Sequence, residues 1–279
     1  MIASARPGGS RRVMRIFARG NVDVRDSLLW SKVGGELQWN GINEVLRVRH
    51  PGVVAKVRHE TCARLDLLPL PGEVLLAPPE TLARSLPSPG AHPIDRQHRS
   101  ALFEGPAEIV ILSVQSFATN ALVRHKREGW LLLPDELQAW DADSRAFLQR
   151  ECVNAGLAPI EPALRRLEEL IVAIEEQLGA HVLVYNLSPV LPGDRTHCWL
   201  GAEDSLQLRA RRFNLGLADL SARLGFSVVD VERIAACAGA ERLKVDLFHL
   251  TGEGWRLVAE EVVRILEERG CFDATGERP

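Results

Sequence analysis

Long apolar runs that alternate with amphipathic segments constrain the fold of this chain most. Residues 109–114 and 181–186 are nearly continuous apolar stretches, which is typical of strands buried on both faces of a parallel sheet. Between them, residues 162–178 place leucine and isoleucine at helical spacing, and Gly179 follows as an end signal. Strand, helix and strand in this order indicate an α/β fold.

The same alternation extends through the rest of the chain. Further strands are predicted at about 13–24, 53–57 and 226–231, and further helices at 206–224 and 251–269. Strands that alternate with helices predict a three-layer α/β/α sandwich around a doubly wound, mainly parallel sheet.

The organisation of the chain is predicted to be simple. Residues 1–12 are rich in Gly, Arg and Ser and are expected to form a loose tail, and residues 271–279 a second one. One domain is expected over residues 13–270. It contains a proline-rich segment at about 66–100, which is expected to be irregular and to run over the surface.

Composition excludes several function classes. The chain has 279 residues, of which 46% are hydrophobic, and its formal net charge of −3 gives no sign of a nucleic-acid partner. No run of 18 apolar residues predicts a membrane span, and the basic start lacks the apolar core of a secretory signal. Five scattered cysteines without a Cys-x-x-Cys pair fit reduced thiols, so a cytoplasmic location is expected.

A pattern near the C-terminus carries the chemistry. Asp246 and His249 lie three apart, just before Gly254-Trp255 and an amphipathic helix. A turn that holds this pair lets the carboxylate fix the tautomer of the imidazole and leaves the other ring nitrogen free as a base. The alternative is an ordinary helix start with Thr251 as the N-cap.

Residues 246–258 resemble the last motif of the SGNH (GDSL-like) hydrolase family, in which Asp-x-x-His precedes the final helix. A second resemblance follows the first predicted strand. Residues 26–28 (Asp-Ser-Leu) are similar to the family's Gly-Asp-Ser-Leu motif, with Arg25 in place of the glycine. The resemblance therefore implies the SGNH fold over most of the chain.

The resemblance also implies an activity, which is hydrolysis or transfer of an acetyl or other short acyl group of a small ester. Ser27 is expected to attack the acyl carbon, while His249 takes its proton and Asp246 orients His249. No metal or organic cofactor is implied. His197 and Cys198 are adjacent in sequence and have no partner at zinc spacing, so they make a poor metal site.

A second register is open at the nucleophile segment. If the strand stops earlier, Gly20-Asn21-Val22 takes the place of the motif, and Val22 stands where the family has its serine. The protein would then be a degraded member of the fold that acts as a binding or assembly partner. A Ser27–His249 contact would favour the enzyme, whereas Val22 at the strand end with Ser27 turned away would favour the binding protein. A different reaction on a carboxylate-bearing small molecule is a third possibility.

The oxyanion donors depart from the family pattern. The family has Gly-x-Asn-Asp after its third strand, where this chain has Val-Gln-Ser from residue 114. Asn120 is the nearest asparagine that could supply a side-chain amide, and Gln115 is the alternative. The backbone N–H of Ser27 is the second expected donor.

A basic cluster suggests an anionic substrate. Arg124 and His125 follow Asn120 closely, and together with Arg25 they are predicted to bind an anionic group of the substrate. A solvated basic turn is the alternative for the same residues.

Overall fold

The structure is a computed structural model, and it describes residues 11–33, 36–189, 205–246 and 248–273. Its strands are β1 (Arg12–Gly20), β2 (Ser31–Val33), β3 (Glu36–Trp39), β4 (Val53–Thr61), β5 (Ile109–Ser113), β6 (Leu122–His125), β7 (Leu131–Leu132), β8 (Cys152–Gly156), β9 (His181–Tyr185) and β10 (Ser227–Val229). Its α-helices are α1 (Val22–Leu28), α2 (Asn43–Arg49), α3 (Glu80–Ser85), α4 (Gln115–Thr119), α5 (Ala142–Glu151), α6 (Ile160–Leu178), α7 (Leu206–Leu224), α8 (Val231–Ala238), α9 (Ala240–Leu243) and α10 (Gly252–Glu268). Short 3₁₀ turns occur at Leu65–Leu67, Ile94–Arg96 and Leu137–Ala139.

Five parallel strands form the central sheet in the order β10-β9-β5-β1-β4. β1 pairs with β4 on one side and with β5 on the other, where Ile16 lies opposite Ile109. The chain therefore winds in one direction from β1 to β4 and in the other from β5 to β10. The order reverses between β1 and β5, and in such sheets ligands bind beyond the carboxyl ends of the strands at this point.

Two hydrophobic cores lie on opposite faces of the sheet. In β5, Val110 and Leu112 pack with α6 and α7, whereas Ile109 and Ile111 pack with α1, α2 and α10. Successive side chains of a strand point to opposite faces, so a strand covered on both sides must be apolar at every position. The three-layer α/β/α prediction is confirmed, and the double coverage explains the continuous apolar runs.

The long helices form where the sequence predicts them. Ser205 caps α7 by accepting a hydrogen bond from the backbone N–H of Leu208 at 3.2 Å. At the other end of α7, Gly225 has a φ of 82°, a left-handed conformation that glycine adopts without a steric penalty. These end signals are local in sequence, which is why the bounds of this helix could be predicted.

Other elements differ from the sequence prediction. The first strand ends at Gly20, because its ladder with β4 ends at the pair Gly20–Thr61, and residues 22–24 are helical instead of extended. Residues 66–100 contain α3, the 3₁₀ turn Ile94–Arg96 and the end of the 3₁₀ turn Leu65–Leu67, but no strand. The small antiparallel sheets β2-β3 and β7-β6-β8 have strands of two to five residues, too short to leave a clear periodicity. None of the helices that the structure describes is long and apolar enough to cross a membrane.

Candidate active site

The exit of β1 forms one wall of the site, because it lies where the strand order reverses. A side chain at position 20 would clash, since a Cβ there would lie 2.5 Å from Cγ2 of Val24 and 3.0 Å from Cβ of Ser113. Glycine therefore allows α1 to start close to β5. Asn21 and Val22 follow directly, so the Gly20-Asn21-Val22 register is the one found at the strand end.

Ser27 lies elsewhere, five positions into α1 from Val22. Its side chain is fully buried, and its hydroxyl lies 2.9 Å from the backbone oxygen of Asp23 and 3.0 Å from the hydroxyl of Tyr185. No hydrogen bond of the described residues joins it to His249. The prediction of Ser27 as a reachable nucleophile is thus contradicted by its burial, because a serine on the buried face of a helix bonds back to the preceding turn.

The same placement removes the backbone of Ser27 as an oxyanion donor. Its N–H is the sixth of α1, beyond the first turn in which helical N–H groups are free. Ser27 is excluded both as the nucleophile and as the oxyanion donor for the same reason. A helix that begins at Val22 places the side chain of Ser27 on its buried face.

The Asp246–His249 pair forms as predicted. Nδ1 of His249 lies 2.8 Å from Oδ2 and 2.9 Å from Oδ1 of Asp246. Oδ1 also accepts the backbone N–H groups of Phe248 and His249, both at 2.8 Å. Burial alone would raise the pKa of Asp246, but these hydrogen bonds lower it below its ordinary value. The carboxylate therefore stays ionised and holds the imidazole with Nδ1 protonated.

The imidazole remains accessible. The side chain of His249 is 47% exposed, and Nε2 has no hydrogen-bond partner among the described residues. Thr251 caps α10 by accepting the N–H of Gly254 at 3.2 Å. The helix start and the His–Asp pair are thus two properties of the same turn, not alternatives.

A cavity of about 50 Å³ lies between the carboxyl edge of the sheet and this turn. Phe248 and Leu250, the two neighbours of His249 in sequence, both contribute to its wall, whereas His249 itself does not line it. Its other lining residues come from the strand ends, α4, α7, α8 and α10. The cavity is mainly apolar, with a few polar groups pointing into it.

Gln115 is one of these polar groups. It is 5% exposed, and its Oε1 is buried without a hydrogen-bond partner. Buried polar atoms are nearly always satisfied, so this oxygen is an acceptor at the cavity wall to which a ligand or a water molecule can donate. Asn120, the predicted oxyanion donor, instead donates from Nδ2 to the backbone oxygen of Ala63 at 2.7 Å and does not line the cavity. The prediction that Asn120 faces the site is wrong for this cavity, which Gln115, the alternative amide, lines instead.

The predicted anion-binding residues are not brought together. Nε of Arg25 donates to Oδ1 of Asp26 at 2.6 Å, and its guanidinium lies over the ring of Trp30. Arg124 lies in β6, in the small antiparallel sheet. Neither Arg25 nor Arg124 lines the cavity, so the prediction that they bind the substrate there is wrong.

His125, the third member of that group, is buried in the same small sheet. Its ring stacks on Trp130 with 4.6 Å between centroids, and its Nδ1 accepts the backbone N–H of Glu128 at 3.0 Å. The imidazole thus has a structural role there, and its predicted contact with the substrate is also wrong.

Two charged residues of the cavity were missed by the sequence analysis. Asp23 accepts hydrogen bonds from the hydroxyl of Ser113 and from the backbone N–H of Asn21, and burial raises its pKa. Lys244 donates from Nζ to the backbone oxygen of Ser188 at 2.8 Å, and burial lowers its pKa to about 8. The only sequence signal was position, since Asp23 follows a strand end and Lys244 precedes Asp246 by two residues.

A second, charged cavity of about 450 Å³ lies on the β4 side of the sheet. There Nε2 of His92 lies 3.0 Å from Oδ1 of Asn21, and Nδ1 lies 2.8 Å from Oδ2 of Asp135. Among the residues with described positions, no group of three or more His, Cys, Asp or Glu could hold a metal ion. His197 and Cys198 lie outside the described residues.

No model of a known family matches the chain, and no curated protein matches it. Solved structures do match. An acetylxylan esterase from Geobacillus stearothermophilus is 8% identical, with coverage of 91% of this chain and 94% of that one, at a TM-score of 0.50. A member of the lipolytic protein G-D-S-L family from Veillonella parvula is 14% identical, with coverage of 91% and 98%, at a TM-score of 0.47. At this identity, the match to the esterase shows that the two chains share a fold.

Proposed function

We propose that this protein hydrolyses a small ester or transfers its acyl group to an acceptor, with His249 as the general base. The observation that carries the proposal is the Asp246–His249 pair, which is formed and accessible, and whose sequence neighbours Phe248 and Leu250 line a cavity together with Gln115. The cavity also lies where parallel sheets of this order bind ligands. The shared fold with an acetylxylan esterase supports ester chemistry.

Water or an acceptor hydroxyl is the proposed nucleophile, because Ser27 is buried. Nε2 of His249 takes a proton from this oxygen as the oxygen attacks the acyl carbon. The resulting oxyanion accepts a hydrogen bond from the amide of Gln115. When the tetrahedral intermediate collapses, the bond to the alcohol breaks and His249 returns the proton to the leaving oxygen. Asp246 remains ionised and offsets the charge of the imidazolium.

Turnover of 4-nitrophenyl acetate and butyrate by the full chain tests the proposal. His249→Ala is expected to abolish turnover, and Ser27→Ala is expected to leave it within about twofold. An active-site-directed fluorophosphonate is expected to leave Ser27 unlabelled. Turnover that survives His249→Ala would reject the proposed base, and turnover lost in a folded Ser27→Ala variant would restore the serine mechanism.

Binding without turnover is the second candidate function. Val22 favours it, because the residue at the end of the first strand offers no hydroxyl for an acyl-enzyme. On this proposal the cavity binds an acyl compound, but neither the wild type nor the His249→Ala variant releases alcohol. Ligand titration by calorimetry, run beside the ester assay, separates the two functions.

A further inference from the structure

We propose that the cavity binds a carboxylate, held by the ammonium group of Lys244, so that the ligand is a small acyl compound with a free carboxyl group. The inference rests on the proposed function for the site but names the class of its substrate. Its first support is the position of Lys244, which lines the cavity and is only 5% exposed.

Lys244 lacks a counterion in contact. Its Nζ donates one hydrogen bond, to the backbone oxygen of Ser188, and no carboxylate of the described residues lies within ion-pair distance of it. The negative charge of Asp246 favours the charged ammonium, but Asp246 is bonded to His249. A buried cation without a contacting anion is costly, and a carboxylate in the cavity would remove that cost.

Two free polar groups lie in the same cavity. The hydroxyl oxygen of Ser188 and Oε1 of Gln115 are both buried without a hydrogen-bond partner. The hydroxyl can donate to one carboxylate oxygen, whereas Oε1 of Gln115 can only accept a hydrogen bond. Lys244 and Ser188 thus supply donors to an anion from two different segments of the chain.

Asp23 would oppose an anion only if it were ionised. Its carboxyl group lines the cavity, and burial raises its pKa, which favours the neutral form. A neutral carboxyl group donates a hydrogen bond instead of repelling the ligand. The site can therefore hold a carboxylate beside Asp23.

The remaining walls set the size of the ligand. They are apolar and include Leu187, Leu206, Phe248 and Trp255. A volume of about 50 Å³ is roughly a third of the volume that admits benzene, so it holds the carboxylate end of a ligand and one or two carbons. Propanoate fits this description, and propanamide is its neutral counterpart of the same shape.

Binding of these two compounds to the full chain, measured by calorimetry at pH 7, tests the inference independently of turnover. Propanoate is expected to bind about tenfold or more tightly than propanamide, because a charge-assisted hydrogen bond is replaced by a neutral one. Lys244→Met is expected to abolish the difference, and Lys244→Arg to retain part of it. Lys56→Met removes an exposed lysine of β4 and is the matched control, with an expected difference equal to that of the wild type.

Melting curves identify any variant that fails to fold. In that case the ratio of the wild-type affinities for propanoate and propanamide decides the test. Equal affinity for propanoate and propanamide in the wild type, or a preference that survives Lys244→Met, overturns the inference. The same proteins are then tested with monomethyl succinate and dimethyl succinate. A carboxylate preference in binding without hydrolysis of either ester leaves the carboxylate site standing and rejects the proposed function. Hydrolysis of both esters at similar rates, together with equal binding of propanoate and propanamide, keeps the proposed function and rejects the carboxylate site.

Discussion

The exit of β1 and the entry to α10 were both expected to supply the site, and they reached opposite outcomes. At the entry to α10, Asp246 and His249 form the expected pair within a single turn. At the exit of β1, Ser27 is buried, and Val22 and Asp23 occupy the edge of the sheet. The first arrangement depends on residues three apart, whereas the second depends on where a strand ends.

The two regions also shift the pKa of a carboxyl group in opposite directions. Hydrogen bonds from backbone N–H groups and from His249 outweigh burial at Asp246 and lower its pKa. Burial dominates at Asp23 and raises its pKa, although the hydroxyl of Ser113 donates to it. The pKa values of the two carboxyl groups therefore shift in opposite directions, because only Asp246 lies near the surface with enough donors to outweigh burial.

The largest expected effect belongs to the entry of α10. Asp246→Asn is expected to reduce turnover by up to about 10⁴-fold, because the amide no longer fixes the tautomer of His249 or offsets its positive charge. Stability should fall by about 1 kcal/mol, the scale of a lost cap-like carboxylate. Asp143→Asn, in the exposed first turn of α5, is the control. Full activity with a lowered melting temperature would show that the turn serves only the helix.

Val22→Ser tests the register at the exit of β1. The substitution places a hydroxyl at the first position of α1, and we expect a fluorophosphonate to label residue 22 in this variant while the wild type stays unlabelled. Peptide mapping by mass spectrometry gives the labelled position. Labelling of Ser27 in the wild type would contradict the register described above.

Ser27→Ala is expected to change stability more than function. Removal of the hydroxyl leaves the buried hydroxyl of Tyr185 without this partner, which should cost about 2 kcal/mol. Tyr185→Phe and the double variant complete a mutant cycle, in which the two losses should not add because they share one hydrogen bond. Urea unfolding measures all three variants, and additive losses would show that the two hydroxyls are not coupled.

A smaller expected effect is the pH dependence of stability, which differs in sign between Asp23 and Asp246. The raised pKa of Asp23 means that its contribution to stability is present below pH 3.8 and is lost as the pH rises through its folded value. The lowered pKa of Asp246 gives the opposite sign, with stability present above pH 3.8 and lost on acidification. Asp23→Asn should therefore raise the free energy of unfolding relative to wild type more at pH 8 than at pH 4, by about 1.4 kcal/mol for each unit of pKa shift. Asp246→Asn should show the larger loss at pH 8.

Much of the fold could be predicted from the sequence, since buried strands and amphipathic helices leave local patterns. The predicted helix over residues 206–224 has the same bounds as α7. The small sheet of β6, β7 and β8 could not be predicted, because its strands are short and pair through long-range contacts. His125 is an example. From the sequence it was predicted to bind an anion, but in this small sheet its ring stacks on Trp130.

Local patterns are enough to predict the layers of the fold and the Asp246–His249 pair, because periodicity and a three-residue spacing act over short distances along the chain. Which side chains face the cavity depends on long-range packing. The end of the β1–β4 ladder at Gly20 set the start of α1 and so turned Ser27 inward. The packing of strand ends against α10 then brought Gln115 and Lys244 to one cavity. Such contacts join residues that lie from about 40 to more than 100 positions apart, and no local pattern carries that information.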